Sequence, residues 1–317
     1  MQILIFILKM LPIKLELPDG FLHEEIRHNY TISSDMKKVW AVEIDLLNEF
    51  MTVCKKHNLR FYAAGGTILG AIRHGGMVPW DDDIDVMMLR EEYEKLCKIA
   101  PSEFTHPYFF QTEETDKGSY RGHAQLRNSE TTGILKTELS DKKTINQGIF
   151  IDIFPLDNVP DDIALRKAYI DKAMKTKALY KKYLKCSLPY HFRFRKNIVI
   201  LIIDFLRNRL TPHATAVSKT NKFYRMFEEW VTSYNHIKTK EVVMSPFYID
   251  RWIYERSDLS EMVYKPFEML SIPVPVGYEQ MLNVTYGEWK KFVMGGSVHG
   301  GVIFDTERSY KEYLMQQ

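Results

Sequence analysis

The sequence predicts an α+β protein: a mixed sheet with flanking helices, interrupted by a helical insert. Three observations predict it. Apolar residues recur at spacings of three and four from about Asp35 to His57, then alternate between Asp83 and Leu89. Short apolar segments return near Tyr108–Gln111, His123–Arg127 and Gly148–Phe154, the length and composition of strands. From Arg166 to Arg209 the composition shifts to thirteen Lys or Arg against two acids, Asp171 and Asp204, in two helical stretches that flank Leu184–Arg195. At 317 residues the chain is long for one core. The expected division is a core over residues 1–160, a basic helical insert over 161–240, and a segment over 241–317 that returns to complete the core.

In chain order, Met1–Leu8 is apolar but too short to cross a bilayer. No basic residue precedes it and no small-residue cleavage site follows, so it reads as an edge strand or short packed segment rather than a signal peptide. In the first helix Met36, Trp40, Ile44, Leu47, Met51 and Cys54 form one stripe; Ser34 is the expected cap and Asp35 suits the positive end. Phe61–Ala64 is a short strand. Gly65-Gly66 follows, Thr67–Arg73 is a short helix, and Gly75-Gly76 ends it. In Asp83–Leu89, Ile84, Val86 and Met88 alternate with Asp83, Asp85 and Met87, giving a strand with two distinct faces. Arg90–Ala100 is the next helix.

Bulk properties exclude several classes. The net charge of +2 says little. The three cysteines, Cys54, Cys97 and Cys186, form no C-x-x-C pair, which argues against a disulfide framework or a structural zinc and for a reducing, cytoplasmic compartment. Lysines in the insert interleave with apolar residues and carry no recognition motif, so nucleic acid is not the expected partner. Ile198–Ile203 beside Arg207 and Arg209 suits peripheral contact with an anionic membrane at its inner face; the same run also suits packing against the core.

Three features carry chemistry: Gly65-Gly66-Thr67, then Trp80-Asp81-Asp82-Asp83-Ile84-Asp85, then Ile151-Asp152-Ile153. Asp83 and Asp85, two apart on a strand, would point to one side at about 6–7 Å between Cα atoms. Such carboxylates suit Mg²⁺ or Mn²⁺, with phosphate oxygens completing the shell. Asp152, between two isoleucines, needs a partner; it is a metal ligand, a proton acceptor or a structural hydrogen-bond acceptor. Gly65 and Gly66 let phosphate approach the backbone at a helix start that Thr67 opens. Arg73 and Arg127 are candidate charge clamps, and Trp80 either stacks on a base or packs. Asp81 and Asp82 read as loop charge, with Asp82 and Glu268 as further candidates. Strand, Gly-Gly, helix and D-x-D strand in this order are the layout of a nucleotidyltransferase-like palm of the polymerase-beta type.

The stretch Gly65–Val86 resembles the central motif of the LicD family almost without departure, and Phe150–Asp157 resembles its second block. Pro266-Phe267-Glu268 and Tyr286-Gly287, with His299 after them, are similar to its C-terminal block. The resemblance implies a nucleotidyltransferase-like fold, a divalent metal at Asp83, Asp85 and Asp152, and transfer of phosphocholine from CDP-choline to a glycan or lipid-linked glycan precursor of the cell surface, with release of CMP. The related fukutin-related proteins use CDP-ribitol and carry a zinc-binding insert, for which this chain lacks the cysteine clusters. Two other readings use the same residues: a true nucleotidyltransferase that releases pyrophosphate, and a non-catalytic protein that binds membrane or glycan precursor.

Overall fold

A computed structural model describes residues 11–136, 138, 145–187, 210–245, 249–295 and 301–316. Met1–Leu8, Ile198–Ile203 and His299 lie outside them.

Helix α1, Ser34–Lys56, is the expected long amphipathic helix. Its cap is Ser33, one residue before the expected Ser34; the Ser33 hydroxyl accepts from the Met36 amide. Strand β3, Tyr62–Ala63, leads into α2, Gly65–Arg73, so the glycine pair forms the first turn of this helix and Thr67 is its third residue. Strand β4 covers Asp85–Leu89 and α3 covers Arg90–Glu103. Ahead of α1, Glu25–Arg27 (β1) and Tyr30–Ile32 (β2) form a hairpin absent from the sequence expectation. Its turn, His28-Asn29, has positive φ at both residues, as a type I′ turn requires, but lacks the glycine that usually announces one.

The main sheet has seven strands among the described residues. Its centre is β8, Ile149–Asn158, a ten-residue strand buried along its whole length. One edge of β8 pairs in parallel with β4, with Asp85 opposite Asp152 and Leu89 opposite Leu156. The other edge pairs antiparallel with β6, Ala124–Asn128, over its first half, and with β9, Glu241–Met244, over its end. Strand β5, Tyr108–Gln111, joins β6, and β10, Ile253–Glu255, joins β9. Strand β7, Thr132–Leu135, lies outside this sheet and pairs with β13, Val302–Asp305. Strands β11, Met262–Phe267, and β12, Leu270–Pro275, form a hairpin.

Both faces of the sheet are buried. Val86, Met88, Ile151 and Ile153 pack against Trp40, Ile44 and Leu47 of α1. Met87, Phe154 and Leu156 face the other way, against Tyr62, Met244, Tyr254 and Met281. The two faces of β4 are thus both apolar, and Asp85 and Asp152 lie at the mouth of the second. Helices α4, Ile163–Ser187, and α5, His213–Val231, form an antiparallel pair. Tyr169, Tyr180, Phe227 and Val231 fill their seam, while Lys172, Lys175, Lys181, Lys182 and Lys185 are exposed. The segment after them returns to the sheet as β9 and β10 and continues into α6, Tyr278–Tyr286, and α7, Tyr310–Met315. No helix of the described residues is long and apolar enough to cross a membrane.

Candidate active site

Strand β4 and the loop before it bring the acids together. Asp85 opens β4; its amide donates to the Thr67 hydroxyl at 2.8 Å and its carbonyl accepts from the Ala64 amide at 3.0 Å. Asp152 faces it from β8, and the Asp152 amide donates to the Ile84 carbonyl at 2.9 Å. Asp83 precedes the strand, so it is not held by strand alternation as the D-x-D spacing suggested. A turn, with the Asp81 amide bonded to the Val78 carbonyl, folds the loop instead. It gathers carboxylate oxygens of Asp81, Asp82 and Asp83 within 4.8 Å of one another. The close triplet is therefore Asp81–Asp83, with Asp85 and Asp152 paired beside it.

A cavity of about 640 Å³ opens over this group, within the size range of small-molecule sites. Gly65, Gly66, Asp81, Asp83, Asp85 and Asp152 line one side; Phe154, Trp80, Trp252, Tyr286 and Trp289 supply aromatic surface on the others. The close approach of α2 to the acids requires both glycines. A Cβ on Gly65, whose φ is +50°, would lie 2.5 Å from Asp85 Oδ2, and one on Gly66 2.0 Å from Asp81 Oδ2. Ala64 caps α2 without a side-chain hydrogen bond, leaving the first amides of the helix to a ligand.

The electrostatics separate the acids into two kinds. Burial pushes Asp85 well above the usual carboxylate range, reinforced by Asp152 and Asp81. Asp83 is raised by burial and by Asp85, Asp81, Glu43 and Asp152. Asp152 goes the other way. Burial acts to raise it, but His123 (Nε2 to Oδ1, 2.9 Å), Gln125 (Nε2 to Oδ1, 2.6 Å) and Arg121 together bring it down to about 2. Crowded oxygen donors that resist ionisation together are what a hard cation relieves, so this set fits a divalent metal.

Of the expected binding residues, Gly65, Gly66, Arg73 and Trp80 line the cavity. Arg73 also donates to the carbonyls of Trp289 at 2.9 Å and Lys291 at 3.2 Å, fastening the C-terminal rim. Thr67 and Arg127 do not line it. Thr67 is buried and holds the Asp85 backbone. Arg127 is 1% exposed and bonded to Gln111, Gln125 and the Gly148 carbonyl, so it cannot clamp a substrate; it braces Gln125, which bonds Asp152. Glu268 is likewise structural: it pairs with Arg27 and accepts from the Met77 amide, stapling the turn after α2. Sequence reasoning missed Asp81, Trp252 and Trp289 as lining residues. Asp81 was visible beside the motif, whereas the tryptophans are separated from it by more than 160 residues and carry no local signal.

The family described as LicD/FKTN/FKRP, nucleotidyltransferase domain, matches residues 58–196, which hold the glycine pair, the acidic loop and Asp152. The chain is 27% identical over 258 residues to the lipopolysaccharide cholinephosphotransferase LicD of Haemophilus influenzae, covering 81% of this chain and 91% of that protein. The family match and this relative together place residues 58–196 of the chain in the LicD family. An uncharacterised Rickettsia prowazekii protein is 34% identical over 80 residues, which is 25% of this chain and 29% of that one. The matched LicD domain ends before Met244, Trp252, Tyr286 and Trp289, so the far wall of the cavity comes from outside it.

Proposed function

We propose that this LicD-family protein is a metal-dependent phosphotransferase that moves phosphocholine from CDP-choline to a sugar hydroxyl of a cell-surface glycan precursor and releases CMP. One observation carries the reading: a single cavity sets a carboxylate group and an uncapped helix start against aromatic walls. The activity named for the Haemophilus relative supports it. The same arrangement favours a polymerase-beta-type palm, with Asp85 opening one strand, Asp83 in the loop just before it and the third acid on the parallel neighbour.

Asp83, Asp85 and Asp152, with Asp81 beside them, would hold Mg²⁺ or Mn²⁺, which neutralises charge on the donor phosphates. The free amides at Gly65 and Gly66 take a phosphate oxygen. The acceptor oxygen bonds the phosphorus that bears choline as the bond to the bridging oxygen breaks. CMP leaves, and the hydroxyl proton goes to the released phosphate or to water. An Asp152 held at about 2 is a poor proton acceptor at neutral pH, which favours the ligand role over the base role. Trp252, Trp289 and Trp80 offer faces to a quaternary ammonium.

The test is CMP release by purified protein from CDP-choline, CDP-ribitol and CDP-glycerol with Mg²⁺ or Mn²⁺. CMP formed fastest from CDP-choline supports the proposal; pyrophosphate from CTP with no CMP from any CDP-alcohol overturns it. Trp252→Ala is expected to raise KM for CDP-choline about 10-fold, the scale of a desolvated cation–π contact. A smaller rise is expected for CDP-glycerol, and equal effects on both donors would remove Trp252 from choline recognition. Gly66→Ala is expected to fold normally, since its φ is not left-handed and alanine favours helix. Its Cβ displaces the Asp81 carboxylate, and turnover should fall on the order of 10²-fold. An unchanged rate would mean that Asp81 can move without consequence.

A further inference from the structure

Four polar residues stand in register across the sheet, and only two of them, Asp85 and Asp152, line the cavity. Gln111 of β5 is opposite Gln125 of β6, Gln125 is opposite Asp152 of β8, and Asp152 is opposite Asp85 of β4. Both glutamines are buried. Arg127, two residues further along β6 and so on the same face, meets both amides. It donates Nε to Gln111 Oε1 at 2.7 Å, Nη1 to the Gly148 carbonyl at 2.7 Å and Nη2 to Gln125 Oε1 at 2.5 Å. All three acceptors are uncharged, and among the described residues no carboxylate bonds the guanidinium. Burying a charge with no counter-ion is costly, and an apolar side chain would fill the space at less cost.

The polarity of this row has one solution. A guanidinium only donates, so the Gln125 amide must turn its oxygen to Arg127. Its NH₂ then faces β8 and donates to Asp152 Oδ1 at 2.6 Å. Turned over, the amide would set its NH₂ against a donor and its oxygen against a carboxylate oxygen. Gln111 obeys the same rule: Arg127 takes its oxygen, and its NH₂ reaches Asp116 Oδ2 at 2.6 Å and the Asn146 carbonyl at 3.0 Å. His123 Nε2 also meets Asp152 Oδ1, at 2.9 Å. Both side-chain contacts to Asp152 thus fall on Oδ1, and among the described residues no hydrogen bond falls on Oδ2.

We infer that Arg127 is a positioning residue for the metal: it fixes the direction of the Gln125 amide, which commits Asp152 Oδ1 to the protein and reserves Oδ2 for the cation. Arg127 bonds no acid of the cavity and acts through Gln125 alone. Partners behind a metal ligand set its orientation, and losing one typically weakens the metal about 10–100-fold. The inference rests on the reading of Asp152 as a metal ligand and on nothing about the donor or acceptor of the transfer. The competing account is that Arg127 and the two glutamines only fasten β5 to β6.

The experiment measures Mn²⁺ affinity of the full-length protein by the loss of the free-ion paramagnetic resonance signal. It compares Gln125→Met, Arg127→Met and the double variant with wild type, and uses Asp152→Ala as the reference for a lost ligand. Methionine keeps an unbranched chain and removes the hydrogen bonds. Each single variant should raise Kd for Mn²⁺ about 10-fold or more. The double variant should bind no more weakly than Gln125→Met alone, because Arg127 has no route to the metal once the amide is gone. A wild-type Kd in Gln125→Met, with binding weakened in Asp152→Ala, overturns the inference and leaves the metal reading standing; this arm decides even if Arg127→Met folds poorly. Losses in the two single variants that multiply in the double variant also overturn it, and Arg127 is then a fastener of the sheet. If Asp152→Ala binds Mn²⁺ as tightly as wild type, the metal reading of Asp152 fails and takes this inference with it.

Discussion

Asp83→Asn and Asp85→Asn are each expected to lower CMP release by about 10²-fold or more, the scale for removing a preorganised electrostatic stabiliser. Both should fold, because the Asp85 main chain is tied to Thr67 and Ala64 independently of its side chain. In metal-free protein both should also raise Tm. Their folded-state pKa values are raised, so the stability of the acid form is present at low pH and is lost as pH rises; asparagine removes that loss. Asp152→Asn should lower the rate as well but move Tm the other way. Its pKa is lowered to about 2, so it contributes stability above the unfolded value of 3.8, lost only as pH falls toward 2, and asparagine forfeits it. Rates measured beside thermal unfolding at neutral pH check both signs. A near-wild-type rate in Asp83→Asn or Asp85→Asn sinks the metal assignment, and a stabilised Asp152→Asn sinks the division of the acids into two kinds.

Asp157→Ala is expected to cost about 3–5 kcal/mol of stability, the range for stripping one partner from a buried ion pair. Asp157 is fully buried near the end of β8 and takes a two-pronged bond from Arg90 at the start of α3: Nε to Oδ1 at 2.7 Å and Nη2 to Oδ2 at 2.8 Å. Asn235, past α5, donates to Oδ1 at 2.7 Å, and Ser245, past β9, donates to Oδ2. One carboxylate therefore joins α3, the central strand and both ends of the return path from the helical pair. Alanine leaves the buried Arg90 guanidinium with the more distant Glu228, at 3.8 Å, in place of its two-pronged partner. Urea unfolding measures the loss, and the double variant Arg90→Met/Asp157→Leu should recover part of it, since the guanidinium is removed together with its two-pronged partner and only the half-buried Glu228 loses an ion pair. A loss under about 1 kcal/mol in Asp157→Ala would mean that Glu228 or water satisfies Arg90 in its place.

Much of the site was legible because its pieces are local. Gly65-Gly66, the Asp83–Asp85 pair and Asp152 each announce themselves within a few residues, and the helical stripe of α1 is unambiguous. Strand β8 was read short, ending at Phe154, because Pro155 ordinarily argues against a central strand. The structure runs through it: β6 pairs up to Ile153 and β9 begins at Leu156, so the proline falls between the two ladders. Arg127 was misread because an arginine in a strand gives no sign of which neighbours it will have. Only the packing of β5 against β6 surrounds it with Gln111, Gln125 and the Gly148 carbonyl.

By itself, the sequence determined which residue types are available for phosphate and metal chemistry, and on which short elements they ride. Period, capping and glycine placement act over a few residues, and those forces are written locally. Tertiary structure alone decided three things: that Asp152 is held ionised by His123 and Gln125, that Trp252 and Trp289 close the cavity, and that Glu43 of α1 is buried with one oxygen that no hydrogen bond meets. Each depends on burial and on charges far apart in the chain. Neither the desolvation of a carboxylate nor the partner it meets is a property of its neighbours in sequence.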